Sequence, residues 1–97
     1  MGYKTVLLAD AKEEITEAAE LYHQVSPKLS ADLLTKFYAT LDTIAKAPLR
    51  NRLIRRKYRK LNLRRFPYKV VYRVAKDTVF VVAFAHQKRK PYYWRGR

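Results

Sequence analysis

Residues 58–86, which read YRKLNLRRFPYKVVYRVAKDTVFVVAFAH, decide the fold, because β-branched and aromatic residues fill two long runs separated by a short polar turn. These runs, Tyr68–Ala75 and Thr78–His86, predict two strands, and Lys76-Asp77 between them predicts a tight hairpin. Ahead of them, Tyr58–Arg65 alternates apolar and polar side chains, which is typical of a strand with one solvent-facing side. The C-terminal half therefore predicts an antiparallel sheet.

The N-terminal half predicts one strand and two helices. Tyr3–Leu8 is short and rich in β-formers, and Asp10 has the position of a cap for a helix of roughly 11–24. Ser26-Pro27 ends that helix and starts a second one, which Ala47-Pro48 stops. The second helix carries an apolar stripe at helical spacing: Leu29, Leu33, Phe37, Leu41 and Ile44.

This element order predicts an α+β fold in one domain, residues 1–97. We expect an N-terminal strand, a helical hairpin and then a three-stranded antiparallel meander (β-α-α-β-β-β), with the helices packed on one face of the sheet. Arg50–Lys57 is dense in bases, and we expect it to be a solvated loop or an irregular entry to the second strand.

The charge is divided unevenly along the chain, whose formal net charge is +14. Residues 1–48 hold five bases and seven acids, whereas residues 49–97 hold seventeen bases and the single acid Asp77. Like charges repel in a compact state, so this half does not owe its charge to the stability of the fold. The charge indicates a polyanionic partner such as nucleic acid, or an acidic protein.

Composition excludes several classes of site and protein. The absence of cysteine rules out a disulfide scaffold, a thiolate zinc site and a cysteine nucleophile. His23 and His86 are the only histidines, so we expect no metal site and no cofactor. No run approaches the ~20 apolar residues of a membrane span, and no secretory signal opens the sequence, which predicts a cytoplasmic protein without a membrane partner.

Two motifs give the sequence a resemblance to a known family. Residues 58–73 resemble the central segment of the RelE/ParE toxins of bacterial type II toxin–antitoxin systems. Residues 85–94, AHQKRKPYYW, are similar to the H-x-x-R-x-P-x-x-W variant of that superfamily's ending. The resemblance implies a growth-inhibiting toxin of RelE/ParE-like fold, neutralised by a cognate acidic antitoxin.

The resemblance leaves two targets open. RelE-type members cut mRNA in the ribosomal A site with scattered Lys, Arg and Tyr residues, whereas ParE-type members poison DNA gyrase and lack that set. Lys69 stands where the RelE pattern has an arginine, Lys88 or Arg89 where it has a basic residue, and Tyr92 or Tyr93 where it has a tyrosine. The His86…Arg89 spacing is closer to ParE-type endings. A non-toxic basic nucleic-acid-binding module is the alternative that rests on charge alone.

Candidate catalytic residues follow from what RNA cleavage requires, namely proton transfer and cations for the crowded phosphate. A histidine at a strand end suits acid–base chemistry near neutral pH, although a structural role is equally compatible with that position. A lysine crowded by other cations has a lowered pKa and can act as a base. The candidate catalytic residues are Lys69, Arg73 and His86, together with Arg89 and Tyr93, which the resemblance implies.

Candidate target-binding residues are the remaining bases near the strands and the ending. Alternation places Lys60 with Arg64 and Lys69 with Arg73, and we expect these four to converge on one sheet face. Aromatic residues among the bases, Tyr92 to Trp94, can stack on nucleobases. For Trp94 we favour instead a structural role as a cover on the sheet. The target-binding candidates are Lys60, Arg64, Arg65, Lys88, Lys90 and Arg95.

Overall fold

A computed structural model describes residues 2–97 of the chain. These residues form two helices and one five-stranded sheet with strand order β1-β5-β4-β3-β2. The parallel pair is β1 with β5, and the other neighbouring strands are antiparallel. The elements are β1 Lys4–Leu7, α1 Ala9–Val25, α2 Pro27–Lys46, β2 Leu53–Arg55, β3 Tyr58–Asn62, β4 Tyr68–Ala75 and β5 Thr78–His86. The predicted α+β fold, with a helical hairpin between the first strand and a meander, is confirmed.

The break between the helices forms as the sequence predicts. The Ser26 hydroxyl accepts a hydrogen bond from the Leu29 amide at 3.3 Å, and Pro27 occupies the first turn of α2. The prediction that Asp10 caps α1 is wrong. That helix begins at Ala9, two residues before the predicted start, so Asp10 lies inside the first turn and Leu8 holds the cap position without a side-chain hydrogen bond.

Of the two alternatives for Arg50–Lys57, the solvated loop is wrong, because the segment is partly ordered where it leads into the strand at Tyr58. Pro48–Arg50 forms a 3-10 turn and Leu53–Arg55 forms the edge strand β2, which makes the meander four-stranded. Residues distant in sequence hold the start of this segment in place. The Tyr72 hydroxyl donates to the Pro48 carbonyl, and the Arg59 guanidinium donates to the Asn51 carbonyl at 2.7 Å. The many arginines in this segment predicted exposure to solvent, and nothing in the sequence indicated these tertiary contacts.

Two apolar clusters lie on opposite sides of the sheet. On the helix side, α1 and α2 cover Val70 and Tyr72 of β4, and the stripe predicted for α2 contributes Leu33, Phe37 and Ile44. On the other side, Val71, Val82, Ala83 and Ala85 are covered by Tyr58 and Trp94. A β-bulge opposite Val71 and Tyr72 leaves Val82 without a partner in the β4–β5 register.

Across residues 2–97, no helix is both long enough and apolar enough to cross a membrane.

Candidate functional site

The functional candidates surround the sheet face that the helices leave free. Alternation along β4 sends Val70 and Tyr72 toward the helices and Lys69, Val71 and Arg73 to the opposite face. The C-terminal segment, residues 87–97, crosses the middle of this face. Its Trp94 is 1% exposed and its ring centroid lies 4.8 Å from that of Tyr58. The predicted structural role of Trp94 is confirmed.

One end of this face carries a concavity of about 230 Å³, which we call the cationic cleft. Three bases from three different chain segments line it, because β2, β3 and β4 are consecutive neighbours in the sheet. The other lining residues are apolar or aromatic. The cationic cleft consists of Arg52, Lys60 and Lys69 together with Ile54, Pro91 and Tyr92.

The electrostatics of the cationic cleft favour an anion. Partial burial, and then the positive charge of Lys60, lower the pKa of Lys69 below its usual value. A phosphate in the cleft would offset the repulsion between Lys69 and Lys60, since it supplies a counter-charge. At the rim, the Tyr92 ring remains 38% exposed and the Arg55 guanidinium lies 5.0 Å from its centroid. An aromatic face beside bases is suited to stacking on a nucleobase or a planar side chain.

Arg73 shares the face of Lys69, as predicted, but contacts the C-terminal segment rather than the cleft. Its Nε donates to the Arg97 main-chain oxygen at 3.3 Å, and its guanidinium lies 4.6 Å from the Phe80 ring centroid. The Tyr58 hydroxyl donates to the same oxygen at 3.2 Å. Arg73 therefore holds the end of the C-terminal segment in place.

Tyr93 and Arg89 lie on the far side of the C-terminal segment, against α1. The Tyr93 hydroxyl donates to Glu14 Oε2 at 2.8 Å, and the Arg89 guanidinium lies 4.0 Å from the Tyr93 ring centroid. Burial, and then the hydrogen bond to Glu14, raise the pKa of Tyr93 above its usual value. The Tyr93 hydroxyl is therefore held as a hydrogen-bond donor to Glu14.

His86 ends β5 on the helix side of the sheet. Its ring packs edge-on against Tyr68 at a centroid distance of 5.0 Å, and its Nδ1 accepts the Lys88 amide hydrogen at 3.0 Å. This imidazole lines a small depression with Glu17 and Arg89. It is separated by the sheet from the cationic cleft.

The predicted target-binding residues are mostly exposed but do not share one surface. The convergence expected for four bases is wrong for Arg64, because β3 ends at Asn62 and Arg64 lines a separate depression beside Lys36 of α2. Arg65 is exposed in the turn that follows, with φ of 72°. Lys88, Lys90 and Arg95 are exposed on the C-terminal segment. Of this group, Lys60 alone lies in the cleft.

Sequence reasoning missed Glu14. Its carboxylate accepts the Phe84 amide hydrogen at 3.1 Å, the Tyr93 hydroxyl and the Arg97 guanidinium, the last also at 3.1 Å. A signal was present, since Glu14 follows the buried Ala11 by three residues and precedes the buried Ala18 by four, which puts an acid on the buried stripe of α1. Among residues 2–97, no group of three or more His, Cys, Asp and Glu residues is placed to hold a metal ion.

The sequence of this chain matches a known family, and its fold matches solved structures. Residues 6–91 match the family model described as the ParE toxin of the type II toxin–antitoxin system parDE. A solved structure of the chromosomal ParDE toxin–antitoxin system from P. aeruginosa superposes with a TM-score of 0.77 at 11% identity, covering 87% of this chain and 95% of that one. The toxin–antitoxin complex RelBE2 from Mycobacterium tuberculosis gives a TM-score of 0.58 at 21% identity, covering 89% of this chain and 99% of that one. No curated protein matches the sequence.

Proposed function

This chain belongs to the ParE toxin family of type II toxin–antitoxin systems, and we propose that it arrests growth by binding DNA gyrase rather than by cutting RNA. The surface that would contact the target is the cationic cleft with its rim residue Tyr92. The family match establishes the class of protein. We propose the gyrase target because the spacing of His86 and Arg89 in the C-terminal motif is closer to ParE-type than to RelE-type endings.

The separation of the predicted acid–base residues supports binding over catalysis. A ribonuclease needs its proton-transfer groups and its cations around one phosphate. Here Lys69 lies in the cleft, His86 lies on the opposite face of the sheet, and the Tyr93 hydroxyl donates a hydrogen bond to Glu14. The cations of the cleft are placed to bind, and the proton-transfer candidates are occupied elsewhere.

A cognate acidic antitoxin is the proposed silencing partner. The matched proteins from P. aeruginosa and M. tuberculosis are a toxin–antitoxin system and a toxin–antitoxin complex. The seventeen bases of residues 49–97 would attract an acidic chain at long range, and this attraction weakens with salt. An antitoxin lying over the cleft would neutralise the toxin by covering the surface that meets the target.

A second candidate, ribosome-dependent mRNA cleavage, is favoured by one observation. The lowered pKa of Lys69 is the property of a lysine that can accept a proton, and Lys60 and Arg52 beside it can stabilise phosphate charge. If the protein cleaves mRNA, Tyr92 rather than Tyr93 would contact the RNA, because Tyr92 is exposed at the rim of the cleft.

Induced expression in a bacterium, with separate pulse labels for protein and DNA synthesis, tests the proposal. We expect DNA synthesis to stop first, cells to filament, mRNA to remain intact and purified gyrase to lose supercoiling activity. An immediate stop in translation with cut mRNA would support the second candidate instead. Undisturbed growth would favour a non-toxic nucleic-acid-binding module.

A paired set of variants isolates the cleft in the same experiment. Lys60→Gln with Lys69→Gln removes two charges from the cationic cleft, and we expect growth arrest to be lost. Lys12→Gln with Lys28→Gln removes two charges from exposed positions on the helices and should leave arrest unchanged. Equal effects of the two pairs would show that net charge, rather than the cleft, carries the activity.

A further inference from the structure

Strand β5 continues past the end of its parallel neighbour. The β1 residues Lys4–Leu7 pair with Thr78–Val81, and the Leu8 amide reaches the Val81 carbonyl at 3.0 Å. Beyond this point β5 extends to His86, and no strand formed by residues 2–97 pairs with it on that side. An uncovered strand edge leaves backbone donors and acceptors that need partners.

Side chains provide those partners. The Arg97 guanidinium donates to the Val82 carbonyl at 3.0 Å, and the Glu14 carboxylate accepts from the Phe84 amide at 3.1 Å. Arg97 and Glu14 also bind each other at 3.1 Å, with their side chains only 20% and 15% exposed. An ion pair thus replaces the missing strand and joins α1, β5 and the C-terminal segment.

The same carboxylate also binds the residue next to Tyr92 of the cationic cleft. Glu14 Oε2 accepts the Tyr93 hydroxyl, and Tyr93 is the direct neighbour of Tyr92. Tyr92 has a φ of 59°, in the left-handed region, so its ring direction depends on how the flanking residues are held. The Trp94 ring, 5.7 Å from the Tyr92 ring centroid, supports it from the other side.

We infer that Glu14 is a positioning residue for the target-binding cleft, acting through Tyr93 and Arg97 on the position of Tyr92. This inference rests on the proposed function, because it assumes that the cleft meets the target. Glu14 touches none of the cleft residues itself. It sets the cleft from the opposite edge of the sheet, where its charge-assisted hydrogen bonds hold the C-terminal segment.

The substitution Glu14→Gln tests the first half of the inference. It keeps the size and an acceptor oxygen but removes one of the two carboxylate charges that bind Arg97, leaving the more exposed Asp10 at 3.4 Å. Trp94 is the only tryptophan, so its fluorescence reports directly on the C-terminal segment. We expect red-shifted emission and faster amide hydrogen exchange in residues 87–97, with exchange in α2 unchanged. Glu17→Gln, an exposed position one turn along α1, is the matched control and should alter neither. Unchanged fluorescence and exchange in Glu14→Gln would overturn the inference.

A double-mutant cycle with Tyr92 tests the second half. We expect Glu14→Gln to require about tenfold more expressed protein for the same growth arrest, which corresponds to about 1.4 kcal/mol. If Glu14 acts by placing Tyr92, this loss should largely vanish in a Tyr92→Ala background. A full additional loss in that background would mean that Glu14 serves only general stability, and the inference would fail.

Growth arrest and gyrase inhibition are measured in separate assays, so failure of this inference can be told apart from failure of the proposed function. Wild-type protein that arrests growth without inhibiting purified gyrase would refute the gyrase proposal alone. The cycle measured on growth arrest would still decide the role of Glu14, since it does not depend on which target is bound.

Discussion

Lys69 and His86 lie on opposite faces of the sheet, although their strands are hydrogen-bonded neighbours. Lys69 is opposite Ala85 in the register, whereas His86 is opposite Tyr68. Because side chains alternate along a strand, this one-residue offset sends Lys69 into the cleft and His86 toward α1. The two side chains do not meet at one phosphate in this arrangement.

The first prediction separates Lys69 from Arg73. Lys69→Gln should abolish growth arrest and leave the free energy of unfolding nearly unchanged, because the cleft cation is not needed for packing. Arg73→Ala should instead lower the free energy of unfolding by about 1 kcal/mol, since it removes a hydrogen bond to the Arg97 oxygen. Urea unfolding of both variants, beside growth assays, checks this. A stable but non-toxic Arg73→Ala protein would place Arg73 at the target instead.

The second prediction concerns the pKa of Lys69. Burial is the larger cause of its lowering and the charge of Lys60 the smaller, so Lys60→Met should raise the Lys69 pKa only part of the way to its usual value. A pH titration of the lysine side-chain NMR signals measures this directly. The lowered pKa means that folding disfavours the charged form of Lys69 relative to the unfolded chain. Stability should therefore rise as the pH increases through the lowered pKa toward 10.5, and this rise should be smaller in Lys60→Met.

How far the sequence predicts this molecule depends on how local each signal is. Tyr68–Ala75 and Thr78–His86 were predicted with the bounds that the structure has, because periodicity and a two-residue turn are local features. Strand β2 was missed, since it depends on pairing with β3 and on the turn before it, which Tyr72 and Arg59 of the later chain hold in place.

The candidate site was predicted less well for the same reason. Alternation placed Lys60 and Lys69 on one face, which is a property of each strand. It did not reveal that residues 87–97 cross this face and divide Arg73 from the cleft. The role of Glu14 was not predicted, because its hydrogen-bond partners Phe84, Tyr93 and Arg97 lie about seventy or more residues away in sequence.

The third prediction concerns Trp94 as the cover of the free sheet face. Trp94→Ala should lower the free energy of unfolding by about 3–5 kcal/mol, the range for removing a buried large aromatic side chain. Urea unfolding followed by circular dichroism measures it without using the lost fluorophore. Tyr92→Ala, at a 38% exposed position, is the matched aromatic control and should cost much less. Similar losses at both positions would contradict the assigned burial.

The fourth prediction is a pH effect at Tyr93. Its pKa in the folded protein is raised, so its contribution to stability is complete below the usual tyrosine value of 10.0 and is lost as the pH rises above it. Tyr93→Phe should therefore be less stable than wild type at pH 8 by about 1 kcal/mol, from the lost hydrogen bond to Glu14. The difference should shrink in alkaline solution. A gap that stays constant to pH 11 would show that ionisation of this hydroxyl does not oppose folding.

The fifth prediction concerns the exposed bases of the C-terminal segment. Lys88, Lys90 and Arg95 lie outside the cationic cleft, so they should steer an anionic partner toward it rather than hold that partner there. Replacing all three with Gln should slow association with a DNA oligonucleotide severalfold and flatten its salt dependence, while dissociation changes little. Stopped-flow binding at several salt concentrations measures both rates.

The helix face supplies a control of equal charge for this last variant. Lys12, Lys28 and Lys46 are exposed on α1 and α2. Replacing them with Gln also removes three positive charges, but from the side of the molecule away from the cleft. If steering depends on where the field is concentrated, association should slow far less in this protein than in the C-terminal variant. Equal slowing would mean that total charge sets the encounter rate and that the C-terminal bases have no special role.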